Sequence, residues 1–109
     1  MDDTLFRTLL FDFYGDLLTE KQRDYYDLHY NQDLSLQEIA EQYGTSRQAV
    51  WDIIRRSEQS LREIEEKTCL VRRAMKRRGV IDGLLELAES LDDADLKQQF
   101  SERLILLYD

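Results

Sequence analysis

The chain has 109 residues, of which 42% are apolar and 35% are charged, and its formal net charge is −8. This length suits one compact domain, and the recurring aliphatic and aromatic residues exclude a largely disordered chain. The sequence contains no proline and only four glycines. Because both residues interrupt helices, their scarcity predicts long helices joined by short turns, an all-α fold class.

The charges are distributed unevenly along the chain. Residues 1–44 carry 3 basic and 10 acidic side chains, residues 45–78 carry 10 and 5, and residues 79–109 carry 2 and 8. The acidic ends disfavour non-specific adhesion to nucleic acid, whereas the basic middle permits a local site for a polyanion. An equally weighted alternative is that the basic middle pairs with the acidic ends, within one chain or across a dimer.

Neither the N-terminus nor any apolar run has the pattern of a targeting or membrane-spanning segment. The first three residues are acidic at Asp2 and Asp3, where a secretory signal is basic, and no apolar run approaches the roughly 18 residues of a membrane span. The single cysteine, Cys69, fits a reducing compartment. We therefore expect a cytoplasmic protein with no membrane insertion.

Two helices are predicted in the first third of the chain. Apolar residues recur with a 3.6-residue period over about residues 4–14, and Gly15 is expected to end that helix. Thr19 and Gln22 have the spacing of a capping box and predict a second helix over about 20–31. The residues expected to face inward from the first helix are Leu5, Phe6, Leu9, Leu10 and Phe13.

The central stretch, about residues 35–62, has the pattern of a helix-turn-helix unit. Ser35 and Glu38 form a second capping box, Ala40 is small enough for two helices to cross, and Gly44 supplies a left-handed turn. Thr45 and Ser46 are the expected caps of the second helix, which is predicted to begin near Arg47 and to continue without interruption into the seventies. The predicted inward residues are Leu36, Ile39, Ala40 and Tyr43, then Val50, Ile53, Ile54, Ser57, Leu61 and Ile64.

The candidate nucleic-acid surface is the side of this second helix that faces away from its apolar stripe, where Gln48, Asp52 and Arg55 fall, together with the flanks, where Arg47, Arg56 and Trp51 fall. A recognition helix reads bases with its first turns, where arginine can pair with guanine and glutamine with adenine. The alternative is that these are ordinary solvated positions; Trp51, at the flank, is expected to pack more than to stack on a base. The base-reading candidates are Ser46, Arg47, Gln48 and Asp52, and the phosphate-binding candidates are Arg55 and Arg56.

A basic cluster precedes the C-terminal part of the chain, and Gly79 is expected to close it. Its cations either bind RNA phosphates or an acidic partner, or lie at a helix C-terminus where the helix dipole favours them. Further helices are predicted over about 80–90 and after a cap at Asp92 or Asp93. The cluster comprises Arg72, Arg73, Lys76, Arg77 and Arg78, and the inward residues beyond it are Val80, Ile81, Leu84, Leu85, Ala88, Leu91, Leu96, Phe100, Leu104 and Leu107.

We expect one all-helical domain over residues 1–109, with a helix-turn-helix core at about 18–66 and a helical extension at about 67–109. The apolar ending, residues 104–107, exceeds what one amphipathic face needs, and together with the charge segregation it predicts a homodimer. His29 is read as a structural or surface residue and Cys69 as a small core residue. These two provide too few ligands for a Cys/His metal site, and neither a cofactor nor enzymatic activity is expected.

The segments 18–23 (LTEKQR), 34–40 (LSLQEIA) and 44–50 (GTSRQAV) together resemble the fourth region of bacterial sigma factors. Over nearly the whole chain, including 11–14 (FDFY) and 49–53 (AVWDI), the sequence more closely resembles the YlxM-like helix-turn-helix proteins of Gram-positive bacteria. The gene of such a protein typically lies beside that of the signal recognition particle GTPase. The resemblance implies a winged-helix-like three-helix core with additional C-terminal helices.

The resemblance also implies a regulatory part in the signal recognition particle pathway, through its RNA, its GTPase or control of its genes. The leading hypothesis is therefore a regulatory helix-turn-helix protein that binds DNA or RNA, with signal recognition particle RNA as one candidate. The alternative is an adaptor that binds the signal recognition particle GTPase without contacting nucleic acid.

Overall fold

The computed structural model describes residues 3–108, which form six α-helices with no β-strand among them. The all-α class predicted from the sequence is confirmed. The chain divides into two compact units, Met1–Val71 and Arg72–Asp109.

The first unit contains four α-helices, and the predicted bounds of the first three are confirmed closely. α1 spans Asp3–Tyr14, and a 3-10 turn, Gly15–Leu17, follows it. α2 spans Glu20–Tyr26 and continues as a π-helical turn, Asp27–Asn31. α3 spans Leu36–Tyr43 and α4 spans Arg47–Thr68. Both predicted capping boxes are present, one before α2 and one before α3, and satisfy backbone donors that a helix start leaves unpaired.

The core of the first unit is built around α4, which packs against α1, α2 and α3. The predicted apolar stripe of α4 is largely confirmed, because Val50, Ile54 and Leu61 are completely buried and Ser57 fills the gap between them. The opposing helices contribute the remaining buried side chains, which are Phe6, Leu10, Tyr25, Tyr26, Ile39 and Ala40.

Polar contacts hold α1 along α4. The Arg7 Nε donates to Glu58 Oε1 at 2.5 Å, and this hydrogen bond raises the pKa of Arg7. Seven residues later on both helices, the Tyr14 hydroxyl donates to Glu65 Oε1 at 2.6 Å. Since both partners advance by seven residues together, α1 and α4 run in the same direction.

The predicted inward face of α1 is partly wrong. Leu5 and Phe13 are 48% and 44% exposed, whereas Phe6, Leu10 and Tyr14 are buried. The hydrogen bonds of Arg7 and Tyr14 to α4 turn Tyr14 inward, and the spacing of apolar residues cannot predict such polar contacts. The inward prediction for Tyr43 of α3 is also wrong; this residue is 42% exposed and meets the ring of Tyr25 edge-on.

The predicted continuation of α4 into the seventies is wrong as well. The helix ends at Thr68 because Cys69 adopts the left-handed conformation, with φ of 57°. Cys69 is partly exposed and is not a core residue. Glu65 is buried and spans this turn, since its Oε1 also accepts from the Val71 N–H at 2.9 Å.

α5 spans Leu70–Glu89, so its first residues belong to the first unit, and the second unit continues from Arg72. That unit adds α6, Ala94–Ile105, and a 3-10 turn, Leu106–Tyr108. Asp93 caps α6 as predicted, accepting from two backbone N–H groups. Gly79 does not end a helix but lies inside α5. Ile81 and Ala88 are buried as predicted, but several predicted inward residues are exposed instead: Val80, Leu84, Leu96, Phe100 and Leu107.

Over residues 3–108, no helix has the length and hydropathy needed to cross a membrane.

Candidate nucleic-acid interface

The connection between α3 and α4 has the geometry of a helix-turn-helix unit. Gly44 ends α3 with φ of 64°, and its N–H donates to the Ala40 carbonyl. A Cβ at this position would meet no atom within 4 Å, so the backbone angle, and not crowding, calls for glycine. Ser46 then caps α4, with its Oγ accepting from the Ala49 N–H at 3.1 Å. The turn therefore sets where the first residues of α4 begin.

The candidate base-reading residues lie on the outer side of the first turns of α4. Gln48 and Arg55 are exposed, and Asp52 lies between them. The Gln48 Nε2 donates to Asp52 Oδ1 at 3.1 Å, and the same oxygen is 3.9 Å from the Arg55 Nη2. Asp52 thus orients the Gln48 amide and offsets part of the Arg55 charge.

Two of the candidate arginines differ from Arg55 in this respect. Arg47 and Arg56 are exposed, and neither forms a hydrogen bond or ion pair with any residue in the range 3–108. A guanidinium group in this state can bind a phosphate or a guanine edge without first giving up an internal partner. Of the six sequence-predicted residues, Ser46 is the N-cap of α4 and the other five lie along the first three turns of that helix.

An open cleft lies beside these residues. It has a volume of about 550 Å³ and is lined by Leu36, Arg47, Gln48 and Trp51. Trp51 is 37% exposed, so part of its indole faces the cleft. Leu36 is predicted to face inward from α3, but it is only half-buried. The apolar pattern of α3 does not indicate that Leu36 lies at this surface, because its position opposite the start of α4 depends on the turn at Gly44.

Comparison with known proteins agrees with this geometry. The family model "Putative helix-turn-helix protein, YlxM / p13 like" matches residues 1–104. The chain belongs to this YlxM/p13-like family. Its relatives include the UPF0122 protein of Halalkalibacterium halodurans, which is 48% identical over 107 residues, 98% of this chain and 92% of its own length. The UPF0122 protein of Geobacillus kaustophilus is 47% identical over 95 residues, covering 87% of this chain and 86% of its own length.

The C-terminal basic cluster of this YlxM/p13-like chain lies on the second unit. Arg72, Arg73, Lys76 and Arg77 are exposed on α5, and the Arg78 guanidinium stacks 5.2 Å from the centre of the Tyr108 ring. The interpretation that these cations lie at a helix C-terminus is wrong, because α5 begins at Leu70 and continues through Gly79. The cluster occupies the N-terminal half of α5, where the helix dipole does not favour positive charge.

His29 and Cys69, the only histidine and the only cysteine in the sequence, each contact a nearby backbone carbonyl. The His29 Nδ1 lies 2.8 Å from the Leu34 carbonyl oxygen, and the Cys69 thiol lies 3.8 Å from the Glu66 carbonyl oxygen. Within the part of the chain that the structure describes, no group of three or more His, Cys, Asp or Glu side chains is arranged to hold a metal ion.

Proposed function

We propose that this protein is a regulatory, non-enzymatic nucleic-acid-binding protein that uses the exposed face of α4. The observation that carries the proposal is the placement of Arg47 and Arg56, which are exposed without a partner among residues 3–108, on a helix that a capped helix-turn-helix positions. Membership of a helix-turn-helix family supports the same function.

The residues of the face would have different roles. Arg47 and Gln48 lie in the first turn of α4 and would contact base edges, with Asp52 fixing the orientation of the Gln48 amide. Arg55 and Arg56 lie two turns further along and would contact phosphates, which positions the helix without reading sequence.

The net negative charge of the first unit would restrict nucleic-acid binding to the part of its surface where the α4 arginines lie. Residues 1–71 carry 8 basic and 15 acidic side chains. A polyanion is therefore repelled by most of this unit and attracted only where the arginines of α4 lie. Binding should be selective for a matching site and should weaken steeply with salt.

The resemblance to proteins encoded beside the signal recognition particle GTPase leads us to propose that the target belongs to that pathway, either its RNA or DNA that controls its genes. A homodimer would present two such surfaces to a target. The alternative, an adaptor that binds the GTPase itself, agrees with the acidic balance of the first unit and predicts no response to removal of the α4 arginines.

The test is a fluorescence-anisotropy titration of labelled signal recognition particle RNA and of a mixed DNA pool at two salt concentrations. An Arg47→Ala/Arg56→Ala variant is compared with Arg103→Ala, which removes an exposed cation from α6. We expect salt-dependent binding whose log–log slope on duplex DNA falls by about 0.9 for each phosphate that the double variant no longer neutralises.

The Arg103→Ala control should bind as the unmodified protein does. If the double variant bound as tightly as the unmodified protein, the nucleic-acid interface would not be on α4. An absence of binding at low salt would refute nucleic-acid binding and favour the adaptor.

A further inference from the structure

The second unit buries little of its apolar surface. α5 and α6 form a hairpin, fastened by an ion pair of 2.9 Å between Lys97 Nζ and Glu89 Oε2 and by a hydrogen bond from the Tyr108 hydroxyl to Asp82. Among residues 72–108, only Ile81 and Ala88 are buried apolar residues. The large apolar side chains of this unit that remain exposed are Val80, Leu84, Leu87, Leu96, Phe100, Ile105, Leu106 and Leu107.

A groove runs along this exposed surface. It has a volume of about 260 Å³ and is lined almost entirely by apolar atoms of Leu84, Leu87, Ala88, Leu91, Phe100 and Leu104. The unit spans only 38 residues, and chains below about 40 residues rarely hold a core alone. The groove and its rim are therefore a surface that another apolar helix would cover.

The charges of α5 indicate which helix that is. Within α5, residues 72–78 contain five basic side chains and no acidic one, and residues 79–89 contain three acidic side chains and no basic one. Two of the three acidic side chains, Asp82 and Glu89, also contact Tyr108 and Lys97 of the same unit. A partner of one charge would match only half of this helix, and a parallel copy would oppose like charges. A second copy running antiparallel matches both halves at once, through the self-complementary contact that a twofold axis produces.

The middle of α5 has the residues that allow a second helix to pack closely against it. Val80, Leu84 and Leu87 are spaced by four and three residues, so they share one side of the helix, and all three are exposed. Gly79 and Gly83 lie among them, and a Cβ at either position would meet no atom within 4 Å. Glycine weakens a helix interior, and no contact among residues 3–108 requires it at these two positions. The open space around them admits a neighbouring helix.

We propose that α5 is the dimerisation helix, packing antiparallel against α5 of a second copy with the twofold axis near residue 82. The basic N-terminal half of each α5 then faces the acidic C-terminal half of the other. Leu87 of each copy is buried at the contact, and the two hairpins together form a four-helix arrangement. This surface does not depend on nucleic-acid binding.

The first test is sedimentation of the full chain up to tens of micromolar. The unmodified protein should be a dimer, and Leu87→Glu should raise the dimer dissociation constant by at least about 30-fold, the effect of removing a strongly contributing interface residue. Leu87 is 67% exposed in the single chain, so its replacement should leave the helical circular dichroism unchanged. The matched control, Leu17→Glu, changes a leucine of the first unit that is 70% exposed and should remain dimeric.

A second measurement establishes the direction of packing. In a Cys69→Ala background, an antiparallel dimer should form a disulfide between a chain carrying Arg73→Cys and a chain carrying Leu91→Cys, but not between two Arg73→Cys chains. Disulfides between two Arg73→Cys chains would show parallel packing and overturn the proposal.

A monomer at all concentrations, or a dimer that Leu17→Glu dissociates and Leu87→Glu does not, would also overturn the dimerisation surface. A dimer that binds neither RNA nor DNA would refute the proposed function while supporting this surface, so the two can fail separately.

Discussion

Two buried tyrosines of the first unit lead to stability predictions of opposite sign. Tyr14 and Tyr26 are 3% and 0% exposed. The Tyr14 hydroxyl donates to the buried Glu65 carboxylate at 2.6 Å, whereas the Tyr26 hydroxyl makes no hydrogen bond with any atom of residues 3–108. A buried hydroxyl stabilises the fold when it has a partner and destabilises it when it has none. Replacing each tyrosine by phenylalanine isolates these two situations.

The magnitudes follow from those contacts. Tyr14→Phe removes a hydrogen bond to a charged group and should lower the free energy of unfolding by about 1.5–3 kcal/mol. Tyr26→Phe removes only a desolvated hydroxyl and should raise the free energy of unfolding by about 1 kcal/mol. Both changes preserve the aromatic ring, including the stacking of Tyr26 on Phe11 at 5.4 Å, so packing contributes little to either difference.

The assay is urea unfolding followed by far-ultraviolet circular dichroism and by Trp51 fluorescence, which reports on the first unit. The slopes with denaturant should match those of the unmodified protein, so that the shifts in midpoint report stability alone. The two variants should differ by about 3 kcal/mol. If Tyr26→Phe destabilised the protein as much as Tyr14→Phe does, the Tyr26 hydroxyl would be hydrogen-bonded in solution and the reasoning would be refuted.

Further predictions concern the turns and the response to pH. Gly44→Ala should lower stability by about 1–2 kcal/mol because φ is 64°, and should weaken nucleic-acid binding in parallel; an unchanged urea midpoint would contradict this. Gly79→Ala, in an α5 interior with open space around it, should instead stabilise the protein at low concentration by about 1 kcal/mol, measured by thermal unfolding. Cys69→Gly should raise the free energy of unfolding by up to about 1 kcal/mol, seen as a higher urea midpoint, because Cys69 is left-handed with φ of 57°. Burial raises the pKa of Tyr26 above its usual value, so the folded protein holds the Tyr26 proton to a higher pH than the unfolded chain does. The free energy of unfolding should therefore fall as pH rises above about 10, and it should fall less steeply in Tyr26→Phe.

Features set by short-range chemistry are the most predictable parts of the fold. The capping boxes at Thr19 and Ser35 and the left-handed Gly44 each depend on a few neighbouring residues, and the structure has all of them. The α4 stripe follows from its period for the same reason, even at Ser57, whose small side chain occupies a buried position.

Features set by tertiary contacts are not predictable in this way. The rotation of α1 follows the partners of Tyr14, a residue that the predicted inward face of this helix does not include. Gly79 is expected to stop a helix because glycine is a weak helix former, yet α5 continues through it. Cys69 ends α4 in a conformation that non-glycine residues seldom adopt, and the buried Glu65 beneath it accepts the Val71 N–H. The residues around Cys69 in the sequence do not predict this contact.

For the candidate interface, helical periodicity is enough to assign the outward residues of α4. It cannot show that Arg47 and Arg56 have no partner within residues 3–108 while Arg55 is near Asp52, because ion pairing depends on side-chain geometry. Nor can it show that Leu36 of the preceding helix joins Trp51 in one cleft.

The most direct test of the central claim uses the only tryptophan of the chain, which lies at the proposed interface. Trp51 emission and the anisotropy of a labelled RNA or DNA target would be recorded in the same titration. We predict that Trp51 emission changes and saturates together with the anisotropy, and that both responses weaken together in Arg47→Ala. A rise in anisotropy without any change in Trp51 emission would contradict the account and would move the interface from α4 to another surface, such as the basic half of α5.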